Sequence, residues 1–112
     1  MEELDNELNR YLNANRQLQG GPLGYFFNKR VYCNDGYSIS IQCGAYLHSE
    51  PQTPFKSVDE YTSFELGLPS QGDVLINEYA ENPLDYTDTM YPYIKRDIVE
   101  ELIKKHGGIK NE

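Results

Sequence analysis

The sequence predicts an α+β domain: an antiparallel sheet of three or four strands, with an N-terminal helix and a C-terminal helix packed on one face. Three observations carry this. Apolar residues recur at helical spacing near both ends of the chain. Between those ends, apolar and polar residues alternate in short runs. Gly and Pro clusters separate the runs. At 112 residues the chain reads as one domain, 1–112, with an N-terminal helix and linker over 1–24 and the sheet plus C-terminal helix over 25–109.

The first helix is expected over residues 2–18, where Leu4, Leu8, Tyr11, Leu12 and Leu18 form an apolar stripe. Acids in its first turn suit the helix dipole, and Gly20-Gly21-Pro22 ends it. Residues 25–46 read as a β-hairpin turning at Asn34-Asp35-Gly36, because Gly supplies positive φ and Asn or Asp tolerates it. On the return strand Tyr37, Ile39, Ile41, Cys43 and Ala45 point one way, and Ser38, Ser40 and Gln42 the other. Two prolines make 47–57 a loop, and alternation resumes over 60–67. Val74 to Ala80 reads as a short helical turn or a strand. Thr87 to Ile94 reads as a last strand, in which Pro92 demands an edge position or a bulge. A second helix over 96–106 buries Ile98, Val99, Leu102 and Ile103. Asp97 and Glu100 have capping-box spacing, Lys104, Lys105 and His106 complement the helix end, and Gly107 stops it.

Charge is distributed unevenly. Ser57 to Ile94 holds eight carboxylates and no Lys or Arg, so this segment carries the whole formal charge of −8. It also holds Tyr61, Tyr79, Tyr86, Tyr91 and Tyr93, five of the ten tyrosines. A one-signed surface with tyrosines suits a basic protein partner. The expected contact residues are Asp73, Glu78, Tyr79, Glu81, Asp85, Tyr86, Asp88, Tyr91 and Tyr93. The acidic balance argues against direct binding to nucleic acid or to anionic membranes.

Catalytic and metal chemistry find little support. Cys33, Cys43, His48 and His106 lack metal-ligand spacing, and the hairpin register separates the two thiols. Nothing in the sequence lowers the pKa of either thiol. Asp59-Glu60 and Asp85-x-x-Asp88 lack the calcium-loop pattern, and Gly20 to Gly24 lacks the Lys-Ser/Thr of a phosphate loop. The expectation is therefore a non-enzymatic chain with no cofactor and no metal. The acidic start Met-Glu-Glu-Leu does not read as a signal, and no apolar run approaches a membrane span, so a cytoplasmic monomer or homodimer with reduced thiols is expected.

Four stretches resemble a family of small proteins encoded by phages and mobile elements of Gram-positive bacteria. They are Cys33 to Gln42, Tyr61 to Gly67 with Pro69-Ser70, Tyr79 to Pro83, and Ile103 to Ile109. The first thirty residues show no such resemblance. Small phage proteins of this kind include anti-CRISPR inhibitors, many of them acidic imitators of DNA. The resemblance implies a setting rather than a mechanism; joined to the acidic, Tyr-bearing segment, it leads to the expectation of a phage-encoded inhibitor of host defence that binds a basic nucleic-acid-binding groove, with a CRISPR effector nuclease as the first target to test. The alternative is a phage or mobile-element interaction module with no defence role.

Overall fold

The computed structural model describes residues 6–19, 25–45, 47–53, 55 and 57–110. Its elements run α1 (Glu7–Ala14), β1 (Arg16–Gln19), β2 (Tyr25–Asn28), β3 (Val31–Tyr32), β4 (Ser38–Gln42), β5 (Ser63–Gly67), β6 (Met90–Lys95) and α2 (Arg96–Lys105), with single 3₁₀ turns at Val58–Glu60 and Asn77–Tyr79. The main sheet has the order β3-β4-β5-β6 and every pairing is antiparallel. β1 and β2 form a separate two-stranded ribbon. The expected α+β architecture is present, with the extra ribbon.

The helix expected over 2–18 is shorter at its C-terminal end, and residues 2–5 lie outside the described ones. Asn6 caps α1 by accepting the Asn9 amide at 2.9 Å. The helix stops because the Asn15 side chain donates back to the Tyr11 carbonyl at 2.8 Å and Arg16 turns inward. The Arg16 guanidinium donates to Asn28 Oδ1 at 2.8 Å, to the Phe55 carbonyl at 2.8 and 3.0 Å and to the Cys43 carbonyl at 3.1 Å. It lies over the rings of Phe26 and Tyr61. Residues 16–19 then pair with β2 instead of extending the helix.

The predicted hairpin also divides. The turn at Asn34-Asp35-Gly36 forms, with Gly36 at φ +97°. Only Val31 and Tyr32 of the first arm pair with β4, opposite Ile39 and Ser38. Further along, the Gln42 side chain replaces the ladder: its Oε1 accepts the Asn28 amide at 2.8 Å and its Nε2 donates to the Asn28 carbonyl at 2.7 Å. Gln42 and Ser38 were expected to face solvent, but both are buried. Asn28 covers the first, and Arg30, donating to Ser38 Oγ at 3.0 Å, covers the second.

β6 is an edge strand and carries a bulge, as Pro92 required. Phe64 lies opposite Ile94 but Leu66 lies opposite Tyr91, so β6 has one extra residue, and Tyr93 adopts φ +54°. α2 follows β6 directly. Its N-cap is Lys95 without a side-chain bond, so the expected Asp97–Glu100 capping box does not form. At the other end Gly107 (φ +89°) and Gly108 (φ +85°) close the helix, and the Gly108 amide returns to the Ile103 carbonyl at 3.0 Å.

Leu8 and Leu12 of α1 and Val99, Leu102 and Ile103 of α2 pack with Val31, Ile39, Ile41, Phe64, Leu66, Tyr91 and Ile94 of the sheet into one apolar core. Arg96 ties this core to the 3₁₀ turn at 58–60, donating to the Val58 carbonyl at 2.7 Å, the Tyr61 carbonyl at 2.8 Å and Asn9 Oδ1 at 2.6 Å.

Candidate binding surface

The segment between β5 and β6, residues 68–89, holds most of the predicted contact residues. Its conformation is set by side chains that imitate backbone. Asn77 Oδ1 accepts the Asp73 amide at 2.9 Å, and Asp73 Oδ1 accepts the Leu75 amide at 2.9 Å. Asn82 Oδ1 accepts the Leu84 amide, and Asp85 Oδ1 accepts both the amide and the hydroxyl of Thr87. The neck of the tip closes where the Glu81 amide reaches the Met90 carbonyl at 3.0 Å and the Asn82 amide reaches Thr89 Oγ1 at 2.7 Å. Buried side chains help hold the loop to the core. Ile76 is fully buried, and the buried Tyr91 hydroxyl donates to the Tyr86 carbonyl at 2.5 Å. Gly72 allows the loop to fold back on itself, since a Cβ there would lie 3.1 Å from the Tyr86 ring.

The predicted residues separate into three groups. Glu78, Tyr79, Glu81, Asp85 and Asp88 are exposed and Tyr86 is half-buried, all on this loop. Asp73 and Tyr91 are buried, so they support the surface rather than present it. Tyr93 is exposed, but the bulge turns it elsewhere: its ring meets His48 at 5.4 Å and its hydroxyl accepts from Gln52 Nε2 at 3.3 Å. Other acids of the segment are also engaged. Glu65 is buried and accepts the His48 amide at 3.1 Å, and Asp59 accepts from Asn13 Nδ2 at 2.9 Å. What the loop exposes includes four carboxylates, Glu78, Glu81, Asp85 and Asp88, and apolar side chains among which Val74 and Leu84 stand out, the latter 94% exposed. Sequence reasoning missed the apolar pair. A Leu set in Asn82-Pro83-Leu84-Asp85, among turn formers and outside any periodic run, is the signal that could have found it.

Beneath the loop is a cluster that local sequence patterns did not indicate. His106 Nδ1 lies 2.6 Å from Asp35 Oδ2, and its Nε2 lies 2.7 Å from Asp73 Oδ2. Lys105 Nζ donates to Asp73 Oδ1 at 3.0 Å. The imidazole stacks on Tyr37 with centroids 3.9 Å apart and planes 7° from parallel. Burial pulls the His106 pKa down, but the two carboxylates outweigh it and hold it above its ordinary value. Burial pushes Asp73 up, and the Leu75 amide, His106 and Lys105 more than reverse that. Asp35 is held low by the Tyr37 amide and then by His106. The imidazole has no ring nitrogen left to serve as a catalytic base. The Cys33 thiol is pushed up to about 11 by burial and by Asp35 and Glu7, which leaves almost no thiolate at neutral pH.

Among the described residues, no group of three or more His, Cys, Asp or Glu side chains is placed to hold a metal ion, and no helix is long and apolar enough to cross a membrane. A groove of about 540 Å³ lies between the start of α1 and the end of α2, lined in part by Glu7, Glu100 and Lys104. No protein-family model, curated protein or solved structure matches this chain.

Proposed function

We propose that this protein is a non-enzymatic ligand for a basic, nucleic-acid-binding groove of another protein, and that the loop of residues 74–88 is its contact surface. The observation that carries this reading is a loop, fixed by its own side-chain turns, that exposes four carboxylates and Leu84 and has no Lys or Arg within it. A loop fixed in advance loses little conformational entropy on binding. Its carboxylates complement Lys and Arg that otherwise hold phosphates, while Leu84 and Val74 supply contact area that salt does not weaken. The resemblance to phage and mobile-element proteins supplies the setting: an inhibitor of host defence in an infected bacterial cytoplasm, with a CRISPR effector nuclease as the first target to test. An acidic ligand seated in such a groove excludes target DNA.

The test is binding to a guide-loaded effector nuclease, with and without bound target DNA, across a salt series. Binding should fall as salt rises and should be lost on the DNA-bound complex. Glu81 and Asp88 show no internal side-chain bond, so E81K/D88K should fold as the wild type does, within about 0.5 kcal/mol. Each reversed charge near a cation loses on the order of 1 kcal/mol or more, so the pair should weaken binding about thirtyfold or more. Undiminished, salt-independent binding to the DNA-bound complex would overturn the reading.

A further inference from the structure

We propose that the proton on His106 is a clamp: the imidazolium joins the β3–β4 turn, through Asp35, to the base of the acidic loop, through Asp73, and the loop loosens when that proton leaves. This regulation rests on the loop being the contact surface proposed above.

Hydrogen-bond supply distinguishes the two protonation states of His106. A neutral imidazole has one N–H and one lone pair, so it can donate to only one carboxylate. Both ring nitrogens lie within 2.7 Å of carboxylate oxygens, and only the imidazolium donates at both. The two contacts differ in surroundings. Asp73 has a side chain 2% exposed, whereas that of Asp35 is 49% exposed. Water can replace a lost bond at Asp35 but not at Asp73. Rising pH therefore takes the proton from Nδ1, frees Asp35 and leaves Nε2–H on Asp73. The Asp73 contact survives but is no longer charge-assisted, which roughly halves its strength. The acidic loop then keeps Lys105 as its one cationic tie at this point.

The groups facing His106 from each neighbouring element are consistent with this. Asp35 comes from the hairpin turn, Tyr37 from the position just before β4, Asp73 from the acidic loop and Lys105 from its own helix. Nearby, Cys33 stays a neutral thiol, and Glu7 of α1 accepts the Ile109 amide at 2.9 Å. With His106 protonated, two cations face Asp35 and Asp73. Without that proton Asp73 keeps Lys105, and Asp35 loses the charge of His106.

The direction with pH follows from the shifts. His106 is raised above 6.5, so its contribution is complete below 6.5 and is lost as pH rises through the folded value. Asp35 and Asp73 are lowered below 3.8, so theirs is present above 3.8 and is lost as pH falls through the folded values. The clamp is closed between those limits.

The experiment uses the full chain alone, labelled with ¹⁵N, so its outcome does not depend on any partner. Imidazole ¹H–¹⁵N spectra should show protons on both ring nitrogens of His106 at pH 6, and the Nδ1 proton should leave first as pH rises. Protection of the Ile76 and Asn77 amides, corrected for the intrinsic pH dependence of exchange, should fall at least threefold with the same midpoint. In H106Q that midpoint should vanish, and in D35N it should move to lower pH. A singly protonated His106 at pH 6, or loop protection that ignores the His106 titration in the wild type, would overturn the clamp. The wild-type titration decides the matter even if a variant fails to fold.

Discussion

Replacing Tyr91 by Phe isolates the contribution of one oxygen to the order of the acidic loop. The ring is fully buried and would stay in place, so no cavity forms and no apolar area is exposed. What is lost is the 2.5 Å bond from the hydroxyl to the Tyr86 carbonyl. A net hydrogen bond contributes about 0.5–1.5 kcal/mol, and leaving a partner buried and unpaired adds more. Tyr86 is only half-buried, so its carbonyl can turn to water and the added penalty is small. The expected loss of global stability is about 1 kcal/mol, or roughly 4 °C in Tm for a domain of this size. The local effect is more selective. Amides that close the tip, Thr87 to Asp85 Oδ1 and Asp88 to the Asp85 carbonyl, should exchange about fivefold faster. Strand amides of β4 and β5 should change only as far as global stability does. Urea unfolding and amide exchange at pH 7 measure both quantities. A stability loss above about 3 kcal/mol, or unchanged exchange at Thr87 and Asp88, would refute the account of Tyr91 as a local pin.

Two further outcomes are expected. Iodoacetamide at pH 7.5 should leave both cysteines of the folded protein unlabelled and modify both in urea, because Cys33 and Cys43 are buried and burial raises each thiol pKa; rapid labelling of folded Cys33 would favour a reactive-thiol reading. Arg16→Met should lower stability by about 3 kcal/mol or more in urea unfolding, since it strands the buried Asn28 Oδ1 and Cys43 carbonyl; a loss under about 1 kcal/mol would mean the ribbon β1–β2 holds without it.

Features fixed by neighbours in sequence were legible in it. The Asn34-Asp35-Gly36 turn, the alternation of β4, the apolar face of α2, its stop at Gly107 and the bulge at Pro92 each rest on a local conformational preference. The segregation of acid from base was equally plain; Glu78, Glu81, Asp85 and Asp88 lie at the surface, whereas Glu65 and Asp73 of the same segment are buried.

Tertiary structure decided the rest. Alternation marks two faces of a strand but not what covers the second one, so Ser38 and Gln42 looked solvent-facing until Arg30 and Asn28 were seen over them. Helical spacing continued past Ala14, but a guanidinium seeking carbonyls from three distant segments turned the chain into a strand. The acids of the 57–94 segment are alike in sequence, yet Asp73 is buried because His106, thirty-three positions away, brings it a proton and Lys105 brings it a charge. A buried charge requires a partner, and that partner lies wherever the fold brings the chain together. The sequence by itself determined that the acid is segregated into one segment without Lys or Arg; only the folded chain decided which of its carboxylates reach the surface and that Asp73 is held inside.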